Sequence, residues 1–157
     1  QSNLPAALPP ALAAHPEVKS CLDDDVRPME LKPEGWRLKP GLLVWSVPCG
    51  AGAYNFTSLW ILSDEMGGAA KIAPFVNYPG AYANADSEAL LVNADYDPEA
   101  RTLSAFSKGR GLADCGSDES WVWDGAAFRQ TEALVMGDCE GVSPTDWPTV
   151  WRAQVRD

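Results

Sequence analysis

From residue 40 onward the chain is a series of short apolar or alternating runs, each closed by glycine, proline, asparagine or aspartate. The runs are GLLVWSV (41–47), FTSLWIL (56–62), KIAPFV (71–76), ALLVNADY (89–96), RTLSAFS (101–107), SWVWD (120–124), AFRQTEALVM (127–136) and TVWRAQV (149–155). Their β-branched and aromatic residues suit a pleated, half-buried surface, and none of them keeps a helical period. Two turns are explicit. Asp97–Pro98–Glu99–Ala100 separates two alternating strands, with Pro98 presetting φ and Asp97 able to cap the backbone. Asp124–Gly125, inside WVWDGAAFRQ, is the strongest kind of short-range hairpin signal. The expected fold class is mostly β: an antiparallel meander, sandwich or barrel of about eight strands.

The start of the chain reads differently. In QSNLPAALPPALAAHPE (1–17), Pro5, Pro9, Pro10 and Pro16 interrupt any long helix, although one or two turns can begin at Pro10. The expectation is a short helical or irregular Pro/Ala-rich arm or linker at 1–17, followed by a single disulfide-stabilised β domain at 18–157. A chain of 157 residues, 46% of them apolar, is long enough for one such core. No apolar run approaches the ~20 residues of a membrane-spanning helix. The opening lacks a basic segment followed by an apolar one, so it reads as a mature form whose signal has been removed.

Four cysteines, Cys21, Cys49, Cys115 and Cys139, include no C-x-x-C pair, and the chain has one histidine. Zinc ribbons and fingers need closely spaced Cys/His ligands, so no metal and no other cofactor is expected. Two disulfides are the economical reading and imply an oxidising compartment, periplasmic or secreted. Of the three possible pairings, Cys21–Cys49 and Cys115–Cys139 each close a local loop within one half of the chain. Buried free thiols are the alternative.

The charge balance is acidic, with 22 Asp+Glu against 12 Lys+Arg, net −10. Such a surface repels nucleic-acid phosphates and anionic lipid, and no basic stripe counters it. A cationic protein or a neutral glycan is compatible, and solubility alone also explains the excess.

The residues that attract chemical interest cluster in SKGRGLADCG (107–116), where Lys108 and Arg110 alternate with Gly109 and Gly111 before Asp114 and Cys115. A P-loop needs four residues between its glycines and a following Lys–Ser/Thr, and a dinucleotide fingerprint needs a third glycine where Asp114 stands. Both fail. The two glycines read instead as positive-φ or close-packing positions in a turn running into Cys115, with an anion-binding nest of amides as a lesser possibility. Its two cations then face either a partner or neighbouring carboxylates. His15, in the Pro/Ala arm, is poorly placed for Ser/Cys-His catalysis. Asp114, Asp118, Glu119 and Asp124, beside Trp121 and Trp123, are a mixture that a sugar cleft uses, and also one that a solvated acidic loop shows. Asp23 with Asp25, and Asp95 with Asp97 and Glu99, do not fit a calcium loop; Asp97 is better explained as a turn cap. Asn55–Phe56–Thr57 is a formal glycosylation sequon at a strand start, where a structural use of Asn55 is favoured. Cys–Gly before an aromatic strand occurs at both Cys49 and Cys115, an echo no stronger than chance.

The run DYDPEARTLSAFSKGRGLADCGSDESWVWDGAAFRQTEA, then CEG and WPTVWRAQV, resembles the C-terminal signature of domain-of-unknown-function family 1176. LVWSVPCGAGAYNFTSLWIL resembles its PC-x-x-GAYN segment, so the likeness covers roughly residues 20–155. The resemblance implies a bacterial exported or periplasmic domain, stabilised by disulfides, with no established activity and no catalytic residues to carry over. It also implies a family of longer proteins, of which this chain is a fragment or a short member.

Three functions are then in competition. The first is a non-enzymatic binding module of the cell envelope for a protein or glycan. One version of it is an inhibitor of a cationic hydrolase such as lysozyme, with Gly50–Asn55 or Lys108–Gly111 as a protruding loop. The second is glycan binding through exposed Trp60, Trp121 or Trp123. The third is a carboxylate-dependent glycan hydrolase. The binding residues expected from sequence are Lys108, Arg110, Asp114, Trp121, Trp123, Tyr54 and Asn55, with no catalytic residue assigned.

Overall fold

A computed structural model describes residues 4, 7–23, 31–79 and 89–156. Of the acidic positions named above, Asp25 lies outside these residues. The chain forms two compact units: residues 1–51, 56–73 and 89–91 make up the first, and residues 52–55, 74–88 and 92–157 the second.

The first unit begins with two short helices, α1 (Pro10–Ala13) and α2 (Pro16–Leu22), each opening on a proline whose missing N–H needs no helical partner. His15 caps α2, its Nδ1 accepting from the Glu17 N–H at 3.3 Å. The Pro/Ala segment is not only an arm: Leu12 is fully buried, and Gly67 lies so close that a Cβ there would meet Pro9 at 2.6 Å. The sheet of this unit runs β1 (Glu34–Lys39), β2 (Leu42–Ala51), β3 (Phe56–Ser63) and β4 (Lys71–Ile72), with β6 (Leu90–Val92) also paired to β3. β1 and β2 join through Pro40–Gly41, with φ +81° at Gly41, the residue order and sign of a type II turn. The central strands are buried on both faces. Trp36 stacks on Trp60 at 5.7 Å on one face. On the other, Gly35 leaves room for Trp45, whose ring would lie 2.6 Å from any Cβ at position 35. The Trp45 indole N–H donates to Ser63 Oγ at 2.9 Å, so this buried polar pair is satisfied. The Cys21–Cys49 disulfide ties α2 to β2.

The second unit is an antiparallel meander of β7 (Asp95–Asp97), β8 (Thr102–Lys108), β9 (Gly116–Trp123), β10 (Phe128–Met136) and β11 (Thr149–Arg152). A short strand, β5 (Phe75–Val76), adds parallel to β10. One face of the meander carries the aromatic core. Phe128 is stacked by Phe75 at 5.3 Å and met edge-on by Trp123 at 5.1 Å and Tyr96 at 6.4 Å. Trp121 meets Phe75 edge-on at 5.6 Å. On the other face Phe106 stacks on the buried Trp147.

The mostly-β expectation holds, with three differences of detail. Among the described residues eleven strands form in place of about eight. KIAPFV is divided by Pro74, which cannot donate to a ladder, and its halves join different sheets. ALLVNADY is divided at Asn93, whose φ of 45° leaves the extended region. EGWRLK, set between Pro33 and Pro40, adds the third extra strand. Neither sheet is purely a closed ring among the described residues, and β5 makes the second sheet mixed, not wholly antiparallel. The Asp124–Gly125 turn is a four-residue loop, Asp124–Ala127, because Trp123 pairs with Phe128 and Asp124 Oδ1 accepts from both Ala126 N and Ala127 N at 2.8 Å. Asp97 caps Glu99 N and Ala100 N as the turn requires.

Both disulfides pair as expected, Cys21 with Cys49 and Cys115 with Cys139. Removing the first with Cys21→Ala/Cys49→Ala frees a loop with a sequence separation of 28 residues. The expected loss is about 3–4 kcal/mol by the loop-closure relation, read as a lower midpoint in denaturant with a steeper slope, because the unlinked unfolded chain is less compact. A double variant within about 1 kcal/mol of the parent contradicts this account.

Candidate functional site

The site is the connection between β8 and β9. Lys108 pairs with Gly116, so residues 109–115 form the crossing. Two backbone bonds shape it: Gly109 N–H to Cys115 O at 2.8 Å and Ala113 N–H to Arg110 O at 2.9 Å. Gly109 is a close-packing glycine, since a Cβ would stand 2.6 Å from Cys115 Sγ. Gly116 is more tightly required: its φ is +138°, and a Cβ would meet Ser107 O at 1.9 Å. Of the two roles expected of Gly109 and Gly111, close packing holds at Gly109, whereas neither glycine is left-handed and that conformation falls on Ala113, with φ 53°. Gly109 N and Ala113 N are engaged inside the turn, which leaves those amides unavailable to an anion nest.

Arg110 turns back onto its own loop. Its Nε donates to Asp114 Oδ1 at 2.7 Å, its Nη2 donates to Asp114 Oδ2, and the same Nη2 donates to Cys139 O at 3.0 Å. Asp114, only 4% exposed, also accepts the Gly141 N–H at 2.8 Å. The Arg110 guanidinium, helped by the Gly141 amide, holds the Asp114 carboxyl well below the usual carboxylate range against the opposing effect of burial. Asp114, Cys115 and Cys139 offer ligand atoms within 4.8 Å of one another. They are not a thiolate set, because the two sulfurs form a disulfide and the carboxylate is taken by Arg110.

Asn55 holds the loop from the other side. Its Nδ2 donates to Lys108 O at 2.8 Å, and its Oδ1 accepts from Lys108 N at 3.2 Å and from Asn93 Nδ2 at 2.9 Å. Asn93 Nδ2 also donates to Phe106 O at 2.8 Å. Tyr54 donates its hydroxyl to Gly109 O at 3.2 Å. Lys108 is half-buried with no ion-pair partner among the described residues. At the tip, Leu112 is 77% exposed.

Of the sequence candidates, Lys108, Arg110, Asp114, Tyr54 and Asn55 converge on this connection. Trp121 and Trp123 do not belong to the loop. Trp121 is buried with its Nε1 donating to Asn77 Oδ1 at 2.7 Å, and Trp123 is half-buried against Phe128. Trp60 is also buried, its Nε1 bonded to Ser58 Oγ. Asp118 and Glu119 are successive residues of β9 and point to opposite faces, so they do not oppose each other across a cleft. Burial raises both carboxyls; Glu132 adds to the effect on Asp118, while Gln130 donates to Glu119 at 2.6 Å and opposes it. Asp124 lies lower than usual because the Ala127 and Ala126 amides donate to it. Sequence reasoning passed over Leu112, Asn93 and the 138–141 segment. Only the apolar residue inside a glycine-rich turn was a usable signal.

Replacing Asn55 by alanine removes partners from Lys108 N and O; the expected loss of stability is about 1–3 kcal/mol, larger than for an exposed asparagine, measured by chemical denaturation. For Asp114 the linkage has a definite sign. Its folded-state pKa is depressed, so its contribution is complete above the ordinary value near ~4 and is lost as pH falls toward the folded value. Asp114→Asn is therefore expected to lower Tm at neutral pH, with the gap to the parent closing on acidification. A gap that is constant with pH contradicts the ion-pair account.

A protein of Escherichia coli strain K12, "Uncharacterized protein YpfG", is 36% identical over 107 residues, which are 67% of this chain and 30% of that protein. The chain thus spans about a third of that relative's length. No solved structure matches. The model of the family described as "Protein of unknown function (DUF1176)" matches residues 1–154, and the chain belongs to that family.

Proposed function

We propose that the chain is a non-enzymatic binding module of an oxidising, extracytoplasmic compartment, periplasmic or secreted, and that its partner is a cationic protein. The observation that carries this reading is a set of exposed carboxylates in the second unit. Asp95, Asp97, Glu99, Asp138, Glu140 and Asp146 are exposed, and none is ion-paired among the described residues. Against them the cation Arg110 is neutralised by Asp114. Unpaired surface carboxylates steer a basic partner and raise its association rate. The two disulfides support the compartment.

Less supports the competing readings. Stacking on glycan needs exposed rings; Trp60 and Trp121 are buried, and Trp123 is half-buried against Phe128. A hydrolase pair needs two facing carboxyls, and Asp118 and Glu119 project from opposite faces of one strand.

The test titrates the full chain with two basic probes, lysozyme and cytochrome c, at ~10 mM and ~150 mM ionic strength, where the Debye length falls from about 30 to about 8 Å. A complex at low salt that weakens steeply as salt rises is expected; inhibition of lysozyme turnover in the same titration would identify the cationic-hydrolase version. Absence of any complex with both probes at low salt overturns the proposal.

A further inference from the structure

We infer that the turn 109–113 is the contact element of this binding module, with Leu112 as its anchor in an apolar pocket whose rim is basic; the inference rests on the cationic-partner reading. Among the described residues of the second unit, Leu112 is the most exposed large apolar side chain, at 77%, and it stands at the tip of a turn. A solvent-facing leucine on a mobile loop would be unremarkable. Here the turn is held at each side by independent bonds. Cys115 is joined to Cys139, Arg110 bridges Asp114 and Cys139 O, Gly141 N–H reaches Asp114, and Tyr54 reaches Gly109 O. Asn55 fixes Lys108, where the turn departs. The leucine is therefore presented on backbone that is ordered before any partner arrives, which reduces the conformational entropy lost on binding.

The same bonds set the charge around the anchor. Cys139 is tied to the turn through its sulfur and through its carbonyl, and it is flanked in sequence by Asp138 and Glu140. Both carboxylates are exposed and have no ion-pair partner among the described residues. Arg110, the cation closest in sequence to Leu112, is already neutralised. The contact element is thus an apolar tip with an acidic flank. A complementary surface has an apolar depression edged by lysine or arginine, which is the arrangement of a buried anchor within a polar rim.

The experiment measures binding of lysozyme and cytochrome c to the full chain and to two variants, Leu112→Asn and Asp138→Asn/Glu140→Gln, with Tm recorded for each. The anchor role predicts that Leu112→Asn weakens the complex at least ~10-fold through faster dissociation, with unchanged salt dependence and unchanged Tm. The flank role predicts that Asp138→Asn/Glu140→Gln slows association and flattens the salt dependence. If the parent binds a probe and Leu112→Asn binds it equally well, the turn is not the contact element, while the cationic-partner reading stands. If the parent binds neither probe at low salt, both fall together. Because Leu112 makes no internal bond, a folding defect does not explain a loss of binding at unchanged Tm.

Discussion

Strand β8 outruns its neighbour, and much of the second unit follows from how that is resolved. β7 pairs with β8 only from Thr102 to Ser104, leaving Phe106 to Lys108 without a strand on that side. Backbone amides and carbonyls away from bulk water need partners. The side chains of Asn93 and Asn55 provide them, Asn93 at Phe106 O and Asn55 at both polar groups of Lys108. A carboxamide carries one donor group and one acceptor, so Asn55 imitates the edge of a further strand. On the opposite side of β8, the close approach of Gly116 to Ser107 O excludes every side chain at position 116. These contacts, together with the disulfide and the ion pair, fix the direction in which the chain leaves the sheet.

Electrostatics divides along the same line. Arg37–Glu65, Arg129–Asp124 and Arg152–Glu132 join side chains with substantial solvent access, and such pairs contribute little because water already solvates both charges. Glu65 still ionises at about 2, held down mainly by its hydrogen bond from Arg37 and a second from the Gly41 amide. Arg110–Asp114 is a different case. The carboxylate is buried, so losing the arginine leaves an unsolvated charge, and the loop conformation is tied to keeping the pair. An acidic protein has here placed one of its cations where it holds the shape of a loop.

Local chemistry was legible in the sequence; long-range partnership was not. The Asp97 cap and most of the strand runs rest on neighbours in the chain and appear in the structure as read, and the two disulfides, spanning 28 and 24 positions, pair within their own halves of the chain. KIAPFV and ALLVNADY looked continuous because their apolar pattern persists through Pro74 and Asn93, where the backbone breaks. Trp60 and Trp121 have the composition of a sugar platform, but a tryptophan reads the same in sequence whether it stacks on a ligand or on a phenylalanine. Asn55 and Lys108 stand 53 positions apart, so nothing local announces their bond. Arg110 was read with a partner and a neighbouring carboxylate both open, and the geometry pairs it with Asp114. Leu112 is one leucine among many until the fold shows it exposed in its turn.

The position of Asn55 has a practical consequence for making the protein. Its carboxamide nitrogen, the atom that donates to Lys108 O, is also the atom to which a eukaryotic secretory host attaches an oligosaccharide at Asn–x–Thr. Glycosylation there acts on the nascent chain, so a sugar would arrive before β8 has closed against Asn55, and it would occupy the space where the carboxamide meets the strand. Production in a host without that machinery avoids the conflict, and a Thr57→Ala change removes the acceptor signal while leaving the asparagine in place.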